Sequence, residues 1–319
     1  MIAVNHFGGP LPTLTYQPFG YVTGAEGFVL ISGIAVGLLA RRFTAANRLD
    51  FNRWCLRRAG WIYAVHLAIL AVILSLAMAP GAPAEFVFQN MPELAVDPLQ
   101  KVPAAIGLLY QPRYNAILPL YCLLLLMTPP AIAALRRFGP PSVLGASVLI
   151  WAGVQIGWPT ATVDAWATHH GLRLGIKNPL AWQLLFVIGL VGGFRPGWYG
   201  ERLKSLPLRT PLLFVVIAIG LKICLSLHAG IPDVFLDGDR LGAIRLVNTL
   251  ILAYLVWHGC SRHPDSAANP VSFLGRYSLP VFAWQIVGLY LWRPWFDETT
   301  TPPGLMVLGG LTLAASQFI

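Results

Sequence analysis

Long apolar runs recur from one end of this chain to the other, and they decide what it can fold into. Residues Phe19 to Leu39 carry one charge, Glu26, and the run closes on Arg41-Arg42. Crossing the ~30 Å hydrocarbon layer takes about 20 apolar residues in a helix, and several stretches here approach that length. Only 11% of the 319 residues are charged and 56% are hydrophobic, whereas an ordinary soluble domain carries about 25% charge. Lipid must therefore solvate most of the surface, and in lipid every backbone group has to be paired within the chain. A β-barrel would need alternating segments of about 10 residues, which the sequence lacks. The expected fold is all-α, a polytopic transmembrane helical bundle.

Nine full spans are read, at roughly 20–40, 59–79, 115–135, 143–158, 180–194, 211–228, 242–259, 275–292 and 303–319. If the loops alternate sides, fourteen bases fall on one face and six on the other, with Lys222 and Arg245 inside spans. The basic face holds Arg41, Arg42, Arg57 and Arg58, and it is expected to be cytoplasmic. Glu26 then lies near the outer end of its helix. The net charge of +9 is accounted for by these topogenic loops, so nucleic acid is not expected as a partner. The chain is expected to cross its membrane many times.

Residues 1–319 read as a single integral-membrane domain, cut short at both ends. Asn5-His6-Phe7-Gly8-Gly9-Pro10 has the Gly and Pro typical of a helix exit, which implies a truncated first helix, with an outer N-terminal tail as the alternative. The start has no basic segment of the kind that opens a cleavable signal. Four dispersed cysteines show no metal-type spacing, so no metal and no bound cofactor are expected. The external connections 80–112 and 158–179 are long enough to be functional loops.

A carboxylate within an apolar run is costly and marks a place for chemistry. His6 and Glu26 stand on consecutive elements joined by a short hairpin, so they are expected near each other. The histidine takes a proton near neutral pH and the carboxylate orients it; alternatively His6 is an interfacial cap residue and Glu26 bonds backbone or a polar neighbour. Tyr110, Gln111, Arg113 and Tyr121 enter the third span from outside, either as an interfacial belt or as substrate contacts. Trp284 and Gln285 lie in the eighth span and Arg293 just beyond it. Lys222, His66, Arg245 and Asn248 are intramembrane polar groups that snorkelling or helix–helix bonding explains equally well. The arginines Arg41, Arg42, Arg57 and Arg58 either orient helices or grip phosphate through their planar forks.

The segments Phe19–Gly33, Asn115–Tyr121 and Leu274–Phe282 resemble the OpgC-type proteins of the acyltransferase-3 superfamily, which succinylate osmoregulated periplasmic glucans. The resemblance implies a multi-pass acyltransferase of the bacterial inner membrane that takes an acyl group, succinyl above all, from cytoplasmic acyl-CoA (succinyl-CoA) as donor substrate to periplasmic glucan. His6 matches the histidine of the superfamily's first helix; many relatives have Asp where Asn115 stands. In the implied mechanism His6 is the general base, Glu26 orients it, an amide or hydroxyl such as Gln111, Tyr121 or Gln285 stabilises the oxyanion, and the arginines hold CoA phosphates. Trp166, Trp292 and Trp295 are offered as sugar-stacking surfaces. The alternative is a proton-coupled transporter or flippase, in which His6 and Glu26 relay protons.

Overall fold

The computed structural model describes residues 17, 19–43, 47–159, 162, 165–166, 169, 177–204, 206–207, 209–227, 230, 232–262 and 278–295. Every regular element among them is helical. In chain order these are α1 (Gly24–Arg42), α2 (Arg48–Ala77), α3 (Ala82–Asn90), α4 (Pro92–Val96), α5 (Pro98–Ile106), α6 (Ile117–Gln155) and α7 (Pro179–Phe194). They are followed by α8 (Pro196–Lys204), α9 (Thr210–Ser226), α10 (Asp233–Leu236), α11 (Ala243–Arg262), α12 (Ser278–Trp292) and a 3-10 turn, Arg293–Trp295.

Three of them, α1, α2 and α6, are long and apolar enough to cross a membrane. Shorter apolar helices cover Pro179–Phe194, Thr210–Cys224 and Ala243–Gly259. The expected spans at 115–135 and 143–158 run on as one 39-residue element interrupted at Gly139, whose φ of 78° and ψ of 173° are not helical. Glycine tolerates that conformation, and the following Pro140-Pro141 suits the first positions of a new helix. Helix α2 begins at Arg48, well before the apolar run, so Arg57 and Arg58 stand on a helix and not in a loop. The connection 80–112, expected as loop, is mostly three short helices, each with proline in its first two turns. Residues 1–6 and the expected span 303–319 lie outside the described residues.

Among the described residues the closest helix pair is α1 against α7, and glycine makes it possible. A Cβ on Gly33 would collide with Phe186 O, on Gly37 with Leu190 O, on Gly189 with Leu30 O and on Gly193 with Ile34 O. Both helices thus carry Gly-x-x-x-Gly on the contact face, the small-residue pattern that lets membrane helices approach backbone to backbone. The register advances in the same direction on both, so α1 and α7 run parallel. Beside them, Ser147 on α6 and Gln183 on α7 clasp each other: Ser147 Oγ donates to Gln183 Oε1 at 2.6 Å, and Gln183 Nε2 donates to Ser147 O at 2.9 Å. Trp182, Phe186, Leu190, Leu118, Leu124 and Ile62 are fully buried around these contacts and form the core.

Candidate functional site

Helix α1 opens with Thr23-Gly24-Ala25-Glu26, the capping-box pattern in which Ncap and N3 side chains satisfy each other's backbone donors. Thr23 Oγ1 accepts from Ala25 N at 3.3 Å, and Glu26 Oε2 accepts from Thr23 N at 2.9 Å and from the Thr23 hydroxyl. The other carboxylate oxygen, Oε1, receives Arg245 Nε at 3.0 Å and also Arg245 Nη2. Glu26 is wholly buried and Arg245 nearly so. Each oxygen of Glu26 therefore holds two donors. The carboxylate is saturated by its own helix start and by an arginine three residues into α11.

A clamped loop positions that arginine. Asp237 Oδ1 accepts from Asp239 N at 2.7 Å and Arg240 N at 3.2 Å, forming an Asx turn. Trp182 Nε1 donates to Gly238 O and Asp239 O at 3.1 Å each, Trp151 Nε1 to Leu241 O at 2.9 Å and Gln155 Nε2 to Arg240 O at 2.7 Å. Lys177 adds a bond to Gly238 O at 3.3 Å and lies 4.4 Å above the Trp182 ring. Burial, with some help from the Arg245 charge, holds the Lys177 ammonium below its usual range, although Glu26 pulls the other way. On the far side, Asn248 Oδ1 accepts from Tyr21 N at 2.8 Å, and its Nδ2 is a buried donor with no partner among the described residues.

A second buried polar group lies on α2 and the turn before α6. His66 Nε2 is 3.1 Å from Ala105 O, and His66 Nδ1 is 2.9 Å from Asn115 Nδ2. Tyr110 is buried against Leu70, Ala104 and Ala105. Gln111 is buried, and Arg113 is exposed with its guanidinium 5.4 Å from the Tyr114 ring. Tyr290 on α12 braces this turn by donating to Arg113 O at 2.9 Å.

Halfway along α1, Ser32 and the Arg58 side chain on α2 face the Tyr121 hydroxyl on α6. Arg58 thus points into the bundle, apart from the exposed Arg41, Arg42 and Arg57. Arg136 marks the Arg41 end of the bundle, donating to Phe43 O at 2.8 Å with its guanidinium 5.7 Å from the Phe194 ring. Gln285 and Arg293 are buried, Trp284 is partly so, and Trp166, Trp292 and Trp295 are exposed. His6 lies outside the described residues.

Sequence reasoning set Glu26 beside His6, with bonds to backbone or a polar neighbour as the alternative, and left two signals unused. The Thr-x-x-Glu pattern was local and legible. Arg245 was the opposite charge inside an apolar run, and intramembrane charges tend to pair. A cavity of about 1140 Å³ between α1, α9 and α11 is lined by apolar side chains such as Ile31, Ile219 and Trp257, with Lys222 also on its wall.

These features define a class: an all-helical membrane protein with buried, hydrogen-bonded charge near one end and exposed arginines at the other. Within that class, the family model described as OpgC protein matches residues 1–317, and the chain belongs to that family. Membership points to a membrane transferase that modifies glucan. No curated protein and no solved structure matches the chain.

Proposed function

We propose that this protein moves an acyl group, succinyl in the favoured reading, from cytoplasmic acyl-CoA to hydroxyls of periplasmic glucan. The observation that carries the reading is the polarity of α1. Its first turn holds Glu26 bound to Arg245, and its last turn holds the exposed Arg41 and Arg42. Sixteen residues separate Glu26 from Arg42, about 24 Å at 1.5 Å per residue. An anion-binding end and a polar transfer end are thus set apart by nearly the thickness of the hydrocarbon.

In this scheme Arg41, Arg42 and Arg57 meet the CoA phosphates in the cytoplasm, while the thioester reaches the Glu26 end through the bundle. His6 removes the proton from a glucan hydroxyl as its oxygen attacks the thioester carbonyl carbon. The carbon–sulfur bond then breaks, and His6 returns the proton to the thiolate. Such acid–base assistance contributes roughly 10²–10⁴-fold. Glu26 has no vacant lone pair for a second task, so it acts by fixing Arg245 and the start of α1. Asn248 Nδ2, a buried donor held in place by Tyr21 N, suits an oxyanion better than Gln111, whose buried unpartnered atom is an acceptor. The lipid bilayer supplies the solvent for the whole machine.

The test is direct. Full-length protein given succinyl-CoA and glucan is expected to release free CoA and yield succinylated glucan by mass spectrometry, and His6→Ala is expected to abolish both. Unchanged transfer by the alanine variant would remove His6 from the mechanism. Glucan movement across vesicles without thioester consumption would establish the transporter reading instead.

A further inference from the structure

Asn115 is completely buried and Gln111 is 6% exposed, yet among the described residues Asn115 Oδ1 and Gln111 Oε1 have no hydrogen-bond partner. The orientation of Asn115 follows from its neighbours. Ala105 O can only accept, so the proton of a neutral His66 ring sits on Nε2, which donates to it. The other nitrogen, Nδ1, is then an acceptor, and Asn115 must present its amide NH2 to it. That arrangement turns Asn115 Oδ1 away from the histidine as a bare acceptor. An unmet buried oxygen is costly, and in a folded protein it marks the place of a water or a ligand.

The turn carrying both amides is built to hold still. Asn115 N donates to Pro112 O at 3.0 Å, Tyr290 OH anchors Arg113 O, and the Tyr114 and Tyr290 rings meet edge to face at 6.3 Å. Two neutral acceptors would repel an anion. Neither supplies the negative charge that a cation site is built from, and the one charged residue on this turn, Arg113, is itself a cation. Neutral hydroxyl groups beside aromatic walls fit both facts.

We infer that Gln111 Oε1 and Asn115 Oδ1 accept hydrogen bonds from two hydroxyls of one sugar unit of the glucan, and that His66 is the positioning residue that keeps Asn115 in its accepting orientation. The inference rests on the glucan-transferase reading for the identity of its ligand. No bond is made or broken at this site; it holds the acceptor.

The experiment measures equilibrium binding of a glucose oligosaccharide, without donor, to full-length protein in lipid nanodiscs. Gln111→Leu and Asn115→Leu are each expected to raise the dissociation constant about tenfold, the worth of one lost hydrogen bond. Gln111→Leu is also expected to hold or raise the melting temperature of the sugar-free protein, since an unmet oxygen has gone; a merely structural amide would move it down. His66→Leu weakens binding like Asn115→Leu, whereas His66→Gln, which can donate to Ala105 O and accept from Asn115, restores it. Binding within about twofold of wild type in both leucine variants, or no binding by wild type, overturns the inference and assigns the oxygens to internal water. If wild type binds the sugar and the leucine variants do not, but no acyl-CoA is ever consumed, the sugar site stands and the transferase reading falls.

Discussion

Two buried polar groups in this protein are built on opposite terms. Around Glu26 every lone pair that matters is occupied: two donors from Thr23 on one oxygen, two from Arg245 on the other. Around Asn115 the histidine is satisfied at both nitrogens while the amide oxygen is left unmet. A closed network has no capacity for a ligand and so serves to fix geometry. An open one is suited to receive something. The residue that attracts attention in the sequence belongs to the first kind, and the second kind is made of residues that look like ordinary amides.

Breaking the Glu26 group is expected to have the largest effect. Glu26→Gln or Arg245→Met leaves a buried charge without its partner, at a cost of about 3–5 kcal/mol, whereas the double variant Glu26→Met/Arg245→Met recovers most of that loss. Thermal unfolding in nanodiscs, read as a double-mutant cycle, checks the coupling; additive losses would show that the pair does not act as a unit. Next comes the glycine seam on which α1 and α7 meet. Gly189→Leu drives a side chain into Leu30 O, and overpacking of this kind costs about 1–3 kcal/mol or more, visible as a lower unfolding temperature even with Glu26 and Arg245 intact.

A matched pair of substitutions sharpens the comparison at smaller scale. Gln183→Leu strips Ser147 of its partner and is expected to destabilise by about 1–3 kcal/mol, while Gln111→Leu removes an atom that had none and is expected to be neutral or better. The smallest effect concerns pH. Lys177 has its folded pKa lowered by burial, so between that value and about 10.4, the unfolded value, the unfolded chain binds more protons than the folded one. Stability contributed by this group therefore rises with pH through that alkaline window. Unfolding temperatures measured across it are expected to climb less in Lys177→Met than in wild type.

Much of the architecture was legible because it is local. Apolar length announces membrane helices, Thr-x-x-Glu announces a helix start, and Gly-x-x-x-Gly on two runs announces a close crossing, although which runs would meet is not written in either. The long connection before α6, expected as loop, is mostly short helices: Pro83, Pro92 and Pro98 sit in their first turns, where a missing N–H costs nothing, and Pro103 lies inside α5. The Glu26–Arg245 contact joins residues 219 positions apart, and no periodicity reaches that far.

The backbone and charge requirements of a hydrocarbon solvent apply residue by residue, so helices, a place in lipid and a partner for Glu26 could be read from the chain alone. That Arg245 meets that acid, that Ser147 satisfies Gln183, and that Gln111 and Asn115 are left without a partner among the described residues came from the folded arrangement. Those outcomes depend on how whole helices slide and rotate against one another, and a hydrogen bond is made or missed by shifts of about an ångström.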